Sequence, residues 1–361
     1  MKRNYYIFNP GRLRRQENSI QFIKKVVVDN PALGKVGGPV TGDQDLSSSS
    51  GPTSGTTEEK IYLPVEDIDS IYAFGELDFN SRVMNFFAQK GIIVHFFNYY
   101  GYYTGTFYPK ETLVSGMLLV RQVKHYVSRK RRLGLAVKIL QAAARNILHN
   151  LKYYQERGKN LAEPLEKIEV LYEKLAQQDS IAALMGIEGN IREIYYRAWN
   201  IIIDRDIQFE KRVKNPPDNM INTMISFVNS MIYTTVLSEI YKTQLNPLVS
   251  FLHEPGERRF SLSLDIAEVF KPVLGDRMIF SMMNKNQVTE ESFEKELNYL
   301  YLKDGARKSI VKEYDERLKI TVRHKTLNRN VSYRQLIRLE LYKLIKHLIG
   351  EKEYEGFKIW W

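Results

Sequence analysis

A carboxylate on an apolar helical stripe is the first place where this chain can do chemistry. Ile181, Leu184, Ile191, Tyr195, Ala198 and Ile202 recur at three- and four-residue spacing, and the position that completes the stripe is Glu188. A carboxylate there is costly unless it is paired, protonated or metal-bound. It stands between Gly186 and Gly189, which disfavour helix but admit a close approach by backbone or ligand. No lysine partner stands on that stripe, so a cation is the economical counter-charge. The competing reading puts Glu188 at the edge of a wide apolar face, reaching water.

Two further groups lie later in the chain. His253, in His253-Glu254-Pro255-Gly256-Glu257-Arg258-Arg259, sits in a Pro/Gly loop before a helix and can present a ring nitrogen. An ordinary surface or core histidine is the alternative. Asp265 and Glu268 are three residues apart in a segment that reads as a short helix, 261–270, ended by Pro272. Two acids and an imidazole suit an oxygen-and-nitrogen metal site; two acids alone also suit a solvated face. Spacing does not join Glu188 to the others.

The basic residues cluster as well. Lys211, Arg212 and Lys214 precede Pro216-Pro217, Arg258 and Arg259 flank the histidine loop, and Arg323, Lys325, Arg329, Arg334, Arg338 and Lys343 occupy the last segment. They read either as a phosphate track or as ordinary surface and helix-end charge. The net charge of +11, from 53 basic and 42 acidic residues, favours a polyanion. With no Cys, disulfides, thiolate zinc sites and a cysteine nucleophile are excluded. Dinucleotide, P-loop, HExxH and GxSxG motifs are missing. The run Asn98-Tyr99-Tyr100-Gly101-Tyr102-Tyr103 can stack bases, or form a strand-turn-strand packed at a domain or subunit interface. No 18-residue apolar run and no signal peptide are visible, so a soluble cytoplasmic protein without a membrane role is expected.

These residues need elements to position them. Residues 1–108 carry short β-branched and aromatic runs bounded by Gly, Pro, Asn and Asp, with one helix at 80–90, and predict a β-rich domain. Within it, 34–57 is dominated by Gly, Pro, Ser and Thr and reads as a floppy hairpin insertion. Beyond 109 the period turns helical, with a stripe from Leu133 to Leu151 and helices at about 161–177, 180–210, 217–243, 261–270 and 333–349. The expected class is α+β: a small β-sheet domain, then a larger all-helical domain.

Several blocks together carry a likeness. They are Tyr5-Tyr6-Ile7-Phe8, Leu63-Pro64-Val65-Glu66-Asp67-Ile68-Asp69, His95-Phe96-Phe97-Asn98-Tyr99-Tyr100-Gly101, Met185-Gly186-Ile187-Glu188-Gly189-Asn190, Asn215-Pro216-Pro217-Asp218-Asn219, Leu252-His253-Glu254-Pro255-Gly256, 261–272 and 333–340. In this order they resemble the CRISPR-associated integrase of spacer acquisition, the larger and catalytic protein of the adaptation complex. The tyrosine-rich block is most similar to the subtype I-B branch.

The resemblance implies a homodimer formed through the N-terminal domains, bound to a small dimeric companion protein, that inserts short DNA fragments into a repeat array. It implies Mg²⁺ or Mn²⁺ held by Glu188, His253 and Glu268, with Asp265 as a neighbouring acid of the same motif. Carboxylate heads and imidazole are then expected within about 3–5 Å of one another. Arg258, Arg259, Lys211 and Arg212 are expected to contact DNA. The chain departs from the family in its long 34–57 insertion and in Glu, rather than the commoner Asp, at 268. The rival functions are a non-catalytic basic DNA-binding scaffold and a purely hydrolytic structure-specific nuclease.

Overall fold

The computed structural model describes residues 2–28, 55–109, 113–205, 209–213, 216–257, 260–296 and 299–361. Two compact units emerge: 1–96 with 106–110, and 97–105 with 111–361. Residues 97–105 group with the second unit although the segments on either side of them group with the first.

Strands β1 (Arg3–Ile7), β2 (Gly11–Gln16), β3 (Ser19–Val28), β4 (Gly55–Pro64), β5 (Ile68–Ala73) and β6 (Leu77–Phe79) precede helix α1 (Ser81–Lys90), β7 (Ile93–Phe97) and β8 (Tyr103–Phe107). They form two four-stranded sheets, ordered β1-β5-β7-β8 and β4-β3-β2-β6. In the first, β1, β5 and β7 run parallel. In the second, the β3–β4 ladder pairs Ser19 with Pro64 and continues to Val28 with Gly55. Gly55–Thr57, counted above with the insertion, therefore belong to β4, where pairing overrides composition. The rest of that insertion, 34–54, lies outside the described residues. Alternation along the strands buries Leu13, Ile20, Phe22, Ile68 and Ile71 in one core. Helix α1 covers it with Val83, Phe86 and Phe87, starts on the Asn80 side chain (3.1 Å to the Val83 N–H) and stops at Gly91, φ 67°.

The second unit is mainly helical: α2 (Gly116–Val127), α3 (Arg129–Gln155), α4 (Ala162–Lys174), α5 (Ile181–Ile202), α6 (Met220–Ile240), α7 (Ser261–Phe270) and α8 (Arg277–Asn284). Then follow strands β9 (Phe293–Glu296) and β10 (Tyr299–Leu302), helix α9 (Asp304–Lys319), strands β11 (Thr321–Arg323) and β12 (Asn330–Ser332), and α10 (Tyr333–Ile349). The two short ribbons, β9–β10 and β11–β12, together with α2 and α9, are elements that the periodicity did not announce. Helix α5 ends eight residues short of the expected 210, because Ile203 turns to extended backbone at φ −84°, ψ 120°. Among the described residues α6 alone is long and apolar enough to cross a membrane; it is instead buried along most of its length as the core of this unit.

Pro272 does not end its helix. From α7 the chain runs through a π-helical segment, Lys271–Asp276, directly into α8. Proline brings no N–H to the ladder, and two buried asparagines of α3 satisfy carbonyls at this irregularity. Asn146 Nδ2 donates to the Val269 carbonyl at 2.9 Å and Asn150 Nδ2 to that of Pro272 at 2.8 Å. Such π turns often stand at functional sites, and this one places Lys271 and Asp276 beside the acids of α7.

Candidate functional site

Helix α5 starts on Ser180, whose hydroxyl accepts the Ala183 N–H at 3.3 Å. Its stripe faces inward as the spacing requires, with Leu184, Ile191, Tyr195, Ala198 and Ile202 buried. Glu188 lies at the border of that face, its side chain 22% exposed. One turn on, Arg192 donates from Nε to Glu188 Oε1 at 3.2 Å. The same guanidinium donates to Glu268 Oε2. Glu268, on α7, also receives Lys271 Nζ on Oε1. Burial alone would push the Glu268 carboxyl up, but the charges of Lys271, then Arg192 and His253, hold it well below the usual range. Glu268 is therefore an anion at every physiological pH.

This corrects the expectation that Glu188 lacks a counter-charge within the protein. Arg192 supplies one at i+4, the spacing at which helical side chains meet. Among the described residues no three acids or histidines stand together as a ligand cluster. Arg192 and Lys271 instead occupy the carboxylates of Glu188 and Glu268.

His253 is built differently. Its Nδ1 stands 2.9 Å from Asp265 Oδ1. An ionised carboxylate only accepts, so Nδ1 carries the proton and, in the neutral ring, the lone pair lies on Nε2. Asp265 is fully buried. Its Oδ2 accepts the backbone N–H of Phe251 at 2.6 Å and Leu252 at 2.9 Å, while Oδ1 also accepts that of His253 at 2.9 Å. With four donors on two oxygens, Asp265 has no free lone pair for a ligand. It positions the 251–253 loop and orients the imidazole, so of the two acids read as suiting a metal site Asp265 is the neighbouring acid and not a ligand, which corrects only its reading as a directly catalytic group. Arg132 braces the same loop, donating to the Phe251 carbonyl at 2.9 Å and pairing with Glu254 at 2.7 Å.

Behind this layer lies Asp276, fully buried, with Oδ2 lacking a hydrogen-bond partner among the described residues. Burial pushes its carboxyl up to about 7, against the opposing charge of Arg192 and a hydrogen bond from Tyr195. Arg192, Lys271 and Asp276 escaped the sequence reading. The first two were readable as i+4 and i+3 partners; Asp276 lies beyond a proline that looked like a helix end.

The basic residues divide. Lys211 is exposed. Arg212 is tied to α6, donating to Asn222 Oδ1 at 3.0 Å and Ser226 Oγ at 2.8 Å, and burial lowers its pKa. It braces the 209–213 segment, which corrects its expected place among phosphate contacts. Arg258 and Arg259 lie outside the described residues. In the last segment Arg334 and Arg338 pair with fully buried Glu239, so they neutralise a core acid. The tyrosine-rich turn is a strand-turn-strand tip: Asn98 Oδ1 accepts the Tyr100 and Tyr102 N–H groups, and Tyr100 stacks on Tyr299 with centroids 5.4 Å apart.

Comparison with known proteins bears on what these groups do together. Residues 46–316 match the family model described as CRISPR associated protein Cas1. The chain is 50% identical over 361 residues to the "CRISPR-associated endonuclease Cas1" of Fusobacterium nucleatum, covering 100% of this chain and 98% of that one. It is similar to the solved structure of a Cas1 protein from Thermotoga maritima, with TM-score 0.77 and 36% identity over 98% of this chain and 100% of that one. A structure titled "Casposase bound to integration product" shares the fold, with TM-score 0.80 at 19% identity over 98% of this chain and 92% of that one.

Proposed function

This chain belongs to the Cas1 family of CRISPR-associated proteins, the DNA endonucleases and integrases of spacer acquisition, and we propose that Glu188, His253 and Glu268 carry that chemistry. The observation that supports this most is the meeting of Glu188 and Glu268, from α5 and α7, on one guanidinium. Two ionised carboxylates and an imidazole whose Nε2 is the free donor atom suit a divalent ion, Mg²⁺ or Mn²⁺, the nitrogen tilting the choice toward Mn²⁺. Such an ion, when bound, stabilises charge on a scissile phosphate and orients a DNA 3′-hydroxyl.

The chain's own residues set the stage. Asp265 keeps the His253 proton on Nδ1, the arrangement by which outer carboxylates orient ligating histidines. Helix α3, through Asn146 and Asn150, fixes the π turn that aims Lys271 at Glu268. Exposed cations such as Lys211, with Arg258 and Arg259, hold the phosphate backbone. We further propose a homodimer through the N-terminal unit, a small dimeric companion protein as partner, short duplexes and repeat DNA as substrates, and the cytoplasm as the place of action.

The test is strand transfer of a short duplex bearing 3′-hydroxyls into a repeat-containing plasmid. Glu188→Gln, His253→Ala and Glu268→Gln should each abolish joining and cleavage while duplex affinity stays largely unchanged. Full activity in any one of them would remove that residue from the site.

A further inference from the structure

We propose that Arg192 is a built-in stand-in for the metal: it bridges Glu188 and Glu268 in the metal-free protein and must release them for the ion to bind. The inference rests on the reading of Glu188, His253 and Glu268 as ligands. It starts from charge. Glu188 and Glu268 carry two negative charges, and Arg192 and Lys271 return two positive ones to the same oxygens. The group is neutral and mostly buried, with side-chain exposures of 22%, 8%, 11% and 17% respectively. Adding a divalent ion to this set would leave two uncompensated charges in a poorly hydrated place, which is costly. It would also need the lone pairs of Glu188 Oε1 and Glu268 Oε2 that the guanidinium now uses.

Guanidinium and ion are therefore alternative occupants, and Arg192 serves as a positioning residue. It keeps two mutually repelling carboxylates together, so the site is assembled before metal arrives. A displaced guanidinium has somewhere to go. Asp276 offers a buried oxygen without a hydrogen-bond partner among the described residues, and its charge and that of Arg192 act on one another. Lys271, on the following turn from Glu268, can remain as the outer cation. The consequence is a set affinity: the ion must outcompete an internal rival, so it binds more weakly than its ligand set alone would allow.

Mn²⁺ titration of the full-length protein without DNA, followed by calorimetry and by the spin resonance of free Mn²⁺, tests this directly. Wild type should bind one ion, and Arg192→Gln should bind it about tenfold tighter, the effect of removing a competitor worth about 1.4 kcal/mol. Arg192→Lys, which keeps the charge but reaches one carboxylate at a time, should fall between them. Without metal, Arg192→Gln should melt below wild type, and saturating Mn²⁺ should raise its melting temperature more than it raises that of wild type. Asp276→Asn, which weakens the landing place, should bind Mn²⁺ several-fold more weakly. Equal or weaker Mn²⁺ binding by a folded Arg192→Gln protein overturns the stand-in role, and unchanged binding by Asp276→Asn overturns the landing place. A wild type that binds no Mn²⁺ at all overturns the ligand assignment itself.

Discussion

Replacing Asp265 with Ala should cost both stability and the orientation of His253, and the size of each loss follows from its contacts. The substitution strands the N–H groups of Phe251 and Leu252, both in buried residues, and that of His253, and it frees the imidazole. A buried N–H left without a partner costs about 1–3 kcal/mol. Allowing for relaxation of the half-buried His253 end, the total comes to about 4 kcal/mol. For a folding unit of this size each kcal/mol moves the melting midpoint by about 2–4 °C, so a fall of about 8–16 °C is expected. Asp265→Asn keeps one accepting oxygen and should lose about half of that. Divalent-ion affinity should fall about 10–100-fold in either variant, because the ring loses the partner that sets its tautomer. Calorimetric melting without metal, then Mn²⁺ titration below the melting range, measures both. An Asp265→Ala protein melting within about 2 °C of wild type would refute the four-donor account of this carboxylate.

Other expectations concern groups around the site. Asp276 has its carboxyl raised to about 7 from 3.8, so between these values the folded chain holds a proton that the unfolded chain lacks, and stability falls as pH rises through that window. Asp276→Asn removes the dependence: the melting advantage of wild type over this variant should shrink from about pH 5 to about pH 8, and a constant gap would contradict burial as the cause. Asn150→Ala deprives the Pro272 carbonyl and the Tyr195 hydroxyl of their donor, and should destabilise the second unit by about 2–4 kcal/mol in chemical denaturation. Lys211→Glu should weaken duplex binding and flatten its dependence on salt between about 50 and 200 mM. Arg212→Ala should chiefly lower the melting temperature; a large loss of DNA affinity with unchanged stability would return Arg212 to the phosphate track. Gly101, at φ +82° with Phe227 where a Cβ would stand, should tolerate no β-branched residue: Gly101→Val should be destabilised in thermal melts.

What was legible in the chain follows from the range of the forces involved. The α5 stripe, the 80–90 helix and the 261–270 helix are local matters of period and turn chemistry, and they stand where the spacing puts them. The α5 terminus was not legible, because nothing in the run to 210 says that Ile203 turns to extended backbone. Pro272 misled for a physical reason. A proline ends a helix unless neighbouring groups satisfy the carbonyls it upsets, and Asn146 and Asn150 do so from a helix more than a hundred residues earlier. The site was half legible. Glu188 stands out as a charge on an apolar stripe, but hydrophobic period alone does not mark Arg192, one turn on beside that stripe, as its partner. Asp265 reads equally as a ligand or as a neighbouring acid, because sequence shows a carboxylate and not the four donors that saturate it. Arg212 likewise reads as surface charge until α6 is folded beneath it.

The most direct test of the assignment is a crystal structure of the Mn²⁺-loaded protein, with the ion located by its anomalous scattering. The expected result is one peak about 2 Å from carboxylate oxygens of Glu188 and Glu268 and from Nε2 of His253, with the Arg192 guanidinium withdrawn from the carboxylates. A peak elsewhere, or none with Arg192 still bridging Glu188 and Glu268 at saturating Mn²⁺, would contradict it.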